Sequence, residues 1–491
     1  MPAGRLGRAL AAGSQLFTRP GSDGLVAPRR PGPDRLTPTL HRCANLDGMT
    51  IVGVDEAEAT ATGALDWLLH TARSTDGDGL AWPTRPSEGE LDPTLYSGTS
   101  GVVLALLEAR RHFGDDRYGD AALRGSRSLA ATVADAPFIA AAAADGWPID
   151  SFHFGLAGMA FALHTVGREL GDPAAAAAAR QALAMVPERF DGTRWNLFVE
   201  LLGGNAGIAL AALEVGDIEL ALLATEPFAR IAEPTPHGVH WEARTGREAR
   251  QHHISHGTLG IVYALATVGR AADRPDLLEL AAAGAADVIS RDEAGPDGFL
   301  VPHSDPQQQH PGLERYNYGW CQGPAGDAQV FRQLHRVLGD PSWAALVDRC
   351  WHTVRQSGLP QRLRPGFWDN SGRCCGTAGV LALACDRQVE NGDGREFADV
   401  MVADLLARAT VDADGVRWSN TEHRVTPSEL EPMPGWAMGN AGIIRELLRY
   451  ARLRTSGEPG YAVDWPDQPP VAATSAWRPA SPAWPASPAS P

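Results

Sequence analysis

The chain has 491 residues, 44% of them hydrophobic, and a formal charge of −16. That composition allows a large core, disfavours nucleic acid as a main partner, and contains no near-twenty-residue apolar run to span a membrane. Lysine is absent, since all 43 basic residues are arginine, which excludes Schiff-base chemistry and the phosphate-binding lysines of P-loop and kinase sites.

In chain order, residues 1–46 come first: Pro-, Gly- and Arg-rich, without period, and expected to be disordered. They hold no 7–15-residue apolar core of a secretory signal, and Met49 offers an alternative start. The six cysteines are not needed as disulfides in a chain of this length, so a reducing, cytoplasmic compartment is expected. From Asp464 onward the sequence is rich in Pro, Ala and Ser and reads as a solvated tail over 464–491. Residues 47–463 are the expected folded region.

That region repeats. Gly-x-x-Gly occurs at Gly98–Gly101, Gly155–Gly158, Gly204–Gly207, Gly257–Gly260, Gly323–Gly326, Gly376–Gly379 and Gly439–Gly442, at spacings of 57, 49, 53, 66, 53 and 63 residues. Apolar segments follow, such as Val102 to Leu107 and Ile261 to Ala266. They are apolar nearly all round and Ala-rich, which favours helices buried on every side. The stretches between, such as Arg180 to Met185, mix polar and apolar residues and suit amphipathic helices. A unit of one buried and one amphipathic helix buries its face only against neighbours. The expected fold is therefore all-α: an α/α toroid, a double ring of seven inner and seven outer helices.

Equivalent positions of a ring of repeats lie at the same end of the ring. Counting the first glycine as zero, position −2 reads Tyr96, His153, Leu202, Ser255, Cys321, Cys374 and Ala437, and position −1 reads Ser97, Phe154, Gly203, His256, Gln322, Cys375 and Met438. Cys321, Cys374, Cys375 and His256 should thus meet at one mouth. Three cysteines from two adjacent repeats can hold a tetrahedral metal and leave one position open, as catalytic zinc requires; the competing readings of Cys374-Cys375 are a strained vicinal pair, or one buried thiol beside one ligand. Cys350 and Cys385 fall within helical stretches and read as packed core thiols.

The repeat, with Trp320-Cys321-Gln322-Gly323 and Cys374-Cys375-Gly376, resembles the LanC-like lanthionine cyclases over roughly residues 50 to 455. The resemblance implies an α/α toroid with Zn2+ held by Cys321, Cys374 and Cys375. Cys-Cys-Gly stands where most of the family has Cys-His-Gly. Ser255-His256-Gly257 matches the family's Ser-His-Gly, making His256 an acid/base candidate, and Glu200 falls where the family often has an aspartate. Two departures stand out: Asn317 replaces an arginine, with Arg315 close by, and Gln322 replaces a tyrosine. The implied reaction is addition of cysteine thiols to dehydroalanine or dehydrobutyrine in a dehydrated precursor peptide, by a stand-alone protein served by a separate dehydratase or kinase-lyase enzyme. Glutathione addition to dehydroamino acids and a non-catalytic peptide-binding toroid are the alternatives. His153, His252 and His253 are less specific neighbours of the site.

Overall fold

The computed structural model describes residues 53–307, 314–363, 368–422 and 426–470; the expectation for residues 1–46 lies outside them. Each Gly-x-x-Gly opens a helix: Thr99–Phe113, Leu156–Leu170, Asn205–Val215, Thr258–Ala271, Pro324–Leu338, Thr377–Glu390 and Asn440–Thr455. Each packs on the next and the seventh packs on the first, so they form a closed inner ring. Six inner helices are paired with the helix that follows: Asp116–Ala134, Pro173–Met185, Ile218–Thr225, Pro275–Ile289, Pro341–Gln356 and Arg395–Arg408. The seventh is paired with Val54–Thr71 from the opposite end of the described chain. That pairing completes seven outer helices and closes the ring on both layers.

The glycines are steric requirements of this closure. A Cβ on Gly326 would lie 1.8 Å from the Trp320 carbonyl oxygen, and one on Gly158 would lie 1.9 Å from that of Phe152. The second glycine of every repeat meets the carbonyl six residues earlier in the same way, because the loop backbone lies directly on the first turn of the helix. A second recurrent signal sits at the other end. Gly114, Gly171, Gly216 and Gly339 end inner helices in the left-handed conformation. The next residues, Asp115, Asp172, Asp217 and Asp340, cap the following outer helices through their carboxylates. One Gly-Asp pair therefore stops one helix and starts the next.

Inner helices that are apolar all round are found in the second to fourth repeats; the first buries Glu108 and the last three bury several charged residues. Arg332, Asp386, Arg445, Glu446 and Arg449 are all buried on inner helices. They are tolerated because they are paired: Asp386 takes Arg332 at 2.9 Å and Arg449 at 2.6 Å, and Glu446 takes Arg373 at 2.9 Å.

The solvated tail expected from Asp464 is corrected over its described part. Val463, Trp465, Asp467 and Gln468 are buried. Glu108 accepts the backbone N–H groups of Ala462 and Val463 at 3.0 and 2.9 Å. Arg445 donates to the Val463 carbonyl at 2.8 Å and lies over the Tyr461 ring at 3.6 Å. Trp465 stacks on Trp436 with centroids 4.7 Å apart. These partners belong to several inner helices and their preceding loops, so the segment fills the bore and supplies acceptors to its arginines. Composition predicts solvation only when no complementary partners exist, and here the ring provides them. Residues 471–491 lie outside the described residues.

Candidate metal centre

The loops before the inner helices are tied together through the backbone at position −2. Tyr96 N–H donates to His153 O at 2.9 Å, His153 to Leu202 at 3.2 Å, and Ser255 to Cys321 at 3.2 Å. Cys321 donates to Cys374 at 3.1 Å, Cys374 to Ala437 at 2.8 Å, and Ala437 back to Tyr96 at 2.9 Å. Six of the seven links of a collar are thus made. At the seventh, the Leu202 N–H donates instead to Glu200 Oε2 at 2.5 Å, and Gly203 N–H donates to Oε1 at 3.0 Å. A carboxylate therefore stands in for the missing carbonyl.

The collar sets three thiols side by side. Cys321 Sγ lies 3.1 Å from Cys375 Sγ, and Cys375 Sγ lies 3.4 Å from Cys374 Sγ. All three sulfurs fall within 4.8 Å of one another, the one such His/Cys/Asp/Glu group among the described residues. Cys321 and Cys374 are buried and Cys375 is partly open. Tetrahedral zinc with bonds of about 2.3 Å would set its sulfurs about 3.8 Å apart, which small side-chain rotations supply. The donors are soft, the open side is at Cys375, and the set fits zinc. Hydrogen bonds from Cys321 and Cys375, then one from Tyr96, hold the Cys374 thiol well below the usual range, and His256 lowers it further. The same cysteine hydrogen bonds, with burial, push Cys321 up.

His256 and Glu200 do come together. His256 Nδ1 lies 3.5 Å from Glu200 Oε1, and the histidine side chain is 12% exposed while the glutamate is 1% exposed. Glu200, held by two backbone N–H groups, faces Nδ1 and leaves Nε2 as the nitrogen turned elsewhere. In the order of repeats, the position −1 residues run His256, Gln322, Cys375, which puts Gln322 on the same loop as Cys321. Gln322 Nε2 donates to Ser255 Oγ at 3.3 Å, and that hydroxyl donates to the Cys321 carbonyl at 2.7 Å. Asn317 accepts the Gly319 N–H at 2.8 Å, a role inside its own loop. The Arg315 guanidinium is engaged with Glu293 and the Tyr316 hydroxyl.

The remaining histidines are structural neighbours. His253 Nδ1 bonds Asp327 at 2.9 Å with both side chains fully buried. His153 Nε2 is 3.3 Å from Asp467 Oδ2 in the C-terminal segment. Burial pushes His252 down to about 2 and His240 down to about 4, leaving both rings neutral. Cys350 and Cys385 are buried within helices, apart from the thiol group. A residue the sequence did not single out is Tyr96, whose hydroxyl donates to Cys374 Sγ at 3.4 Å. Its position −2 register was the available signal.

The sequence model of the family described as lanthionine synthetase C-like protein matches residues 89–312 and 307–402. The solved structure of a nisin cyclase is similar over 82% of this chain and 95% of that chain, at 14% identity and a TM-score of 0.53. The unsaturated glucuronyl hydrolase of Bacillus sp. GL1 aligns over 84% of this chain and 99% of that chain, at 14% identity and a TM-score of 0.45. No curated protein sequence matches the chain. The nisin cyclase likeness places the fold among α/α toroids. Among the described residues no helix is long and apolar enough to cross a membrane.

Proposed function

Since the chain belongs to the lanthionine synthetase C-like family, we propose that it is a zinc-dependent cyclase that adds cysteine thiols of a dehydrated peptide to dehydroalanine or dehydrobutyrine, forming lanthionine or methyllanthionine rings. The observation that carries this reading is the convergence of Cys321, Cys374 and Cys375 on one mouth, with His256 backed by Glu200 on the neighbouring loop.

The reaction adds S–H across a C=C bond. One S–C bond forms at the β-carbon, the π pair moves onto the α-carbon and its carbonyl, and one proton is delivered to the α-carbon; no oxidant or reductant is required. A free thiol with pKa near 8.5 is about 3% ionised at pH 7, a deficit of roughly 2 kcal/mol. Zinc held by Cys321, Cys374 and Cys375 would supply thiol deprotonation at neutral pH. His256 delivers the proton to the α-carbon from Nε2, and Glu200 fixes the ring by facing Nδ1. Glu200 cannot swing away, because both its oxygens hold the Leu202 and Gly203 amides. The hydrogen bonds of Gln322 to Ser255 and of Ser255 to the Cys321 carbonyl tie the loop that carries His256 to the loop that carries Cys321.

The experiment is a mass-spectrometric alkylation assay for free thiol, run with a cognate dehydrated peptide and with glutathione, alongside metal analysis. Cyclisation without glutathione consumption is expected. His256→Ala should slow it roughly 100- to 10,000-fold with zinc retained, while Cys321→Ala should lose zinc and Cys350→Ala should keep it. Glutathione transfer alone would replace this reading with glutathione addition. No acceleration with either thiol on zinc-loaded protein would replace it with a peptide-binding toroid.

A further inference from the structure

We infer that Tyr96 is a positioning residue of the thiolate site: its hydroxyl donates a hydrogen bond to Cys374 and lowers the charge that this ligand presents to the metal. The inference rests on the zinc reading above and adds a residue to it. Tyr96 belongs to the first repeat and Cys374 to the sixth, and the seventh repeat stands between them with Ala437 at the same register. A methyl group there leaves the path across the collar short, and the Tyr96 hydroxyl meets Cys374 Sγ at 3.4 Å.

The backbone of Tyr96 is held on both sides. Its N–H donates to His153 and its carbonyl accepts from Ala437, each at 2.9 Å, and its ring packs against Phe154 with centroids 5.2 Å apart. The hydroxyl therefore has a fixed origin. Cys374 is also the most enclosed of the three cysteines, whereas Cys375 is partly open.

The consequence is electrostatic. Three thiolates on a dication carry a formal charge of −1, and a substrate thiolate would make it −2. A hydrogen bond to one sulfur withdraws density from it and relieves that excess. The donor sits on the enclosed cysteine rather than on the open side. It therefore quiets a spectator ligand and leaves the incoming sulfur as the least stabilised of the four. Hydrogen-bonding partners of metal ligands characteristically change metal affinity 10- to 100-fold on removal.

The test is Tyr96→Phe, which deletes the hydroxyl and keeps both backbone bonds and the ring contact. Zinc affinity is read by competition with a chromophoric chelator at pH 7. The cobalt-substituted protein is read for its near-ultraviolet thiolate-to-metal band. The variant should bind zinc about 10- to 100-fold more weakly. Its band should move to lower energy with the visible tetrahedral bands retained, because a sulfur that loses its hydrogen bond gives up an electron more readily. A merely structural role would alter stability without moving the band. Affinity within twofold of the parent and an unmoved band, in protein with parental circular dichroism, overturn the inference while leaving the zinc reading intact. Should the variant lose its fold, the same cobalt band in parent protein with 3-fluorotyrosine in place of tyrosine serves, since the more acidic donor should move it to higher energy and no movement overturns the inference. Parent protein that binds neither metal overturns the zinc reading and this inference with it.

Discussion

Gly326→Ala tests whether the repeat architecture and the thiol site are mechanically one object. The new Cβ would lie 1.8 Å from the Trp320 oxygen, 2.8 Å from its carbonyl carbon and 2.6 Å from Ile254 Cγ2. The oxygen contact falls about 1.2 Å short of the 3.0 Å that real Cβ atoms respect. A carbonyl in a loop locked by the collar cannot rotate away alone, so the Trp320–Cys321 peptide must move. Cys321 is the next residue, and its N–H and C=O are both links of the collar. Zinc sites tolerate ligand displacements of about 0.2 Å, several times less than this shift. Overpacking typically costs about 1–3 kcal/mol. In a ring of this size that is roughly 1 °C of Tm per kcal/mol. Gly158→Ala is the matched control, with the same clash at 1.9 Å against Phe152 and no cysteine on its loop. Thermal unfolding in chelator should show similar losses for both variants, and zinc competition should show a loss at least tenfold greater for Gly326→Ala, which moves a ligand, than for Gly158→Ala, which reaches the site only through the His153 carbonyl that holds Tyr96. Equal zinc affinity in the two variants, or parental stability in both, would refute the coupling of helix start to metal site.

Two further predictions follow from groups the ring buries. Trp465→Ala removes the stack on Trp436 and the ring beneath Arg445, and should cost about 3–5 kcal/mol in chemical denaturation; a change within about 0.5 kcal/mol, as a solvated tail would give, refutes the plugged bore. His252 and His240 have folded pKa values near about 2 and about 4, below the unfolded value near 6.5. Their neutral-state contribution is complete above pH 6.5 and is lost as pH falls below it, because the unfolded chain then binds protons that the folded one refuses. His252→Leu should accordingly flatten the stability profile between pH 6.5 and pH 4 by about 1.4 kcal/mol per pH unit, measured as urea midpoints, and an unchanged slope would refute burial of a neutral ring.

The part of the site legible in the sequence is the part that the repeat controls. Because each Gly-x-x-Gly begins an inner helix, a residue's offset from the glycine fixes its height in the ring. Cys321 and Cys374 share an offset in adjacent repeats, and Cys375 is one step on, so their meeting followed from counting. The same logic placed His256 beside them and kept Cys350 and Cys385 in helices. Helix caps were equally local: the Gly-Asp pairs at 114–115, 171–172, 216–217 and 339–340 are visible without any tertiary partner.

Offset says nothing about direction across the ring or about what fills it. Tyr96 lay in the same column as the cysteines, yet only closure of repeat seven onto repeat one brings its hydroxyl to Cys374. Glu200 stands out in the sequence by its match to a family carboxylate position, but its two backbone bonds, which patch the open link of the collar, depend on how far the third and fourth loops stand apart. The pairing of Val54–Thr71 with Asn440–Thr455 joins segments at opposite ends of the described chain, which no local pattern encodes. The C-terminal segment was misread for the same reason. Its prolines and alanines signal solvation, while Trp465, Asp467 and Gln468 are buried because Trp436, His153, Arg373 and Arg445 wait in the bore. A polar residue is buried when partners from elsewhere in the chain satisfy it, and only the closed ring decides which partners those are.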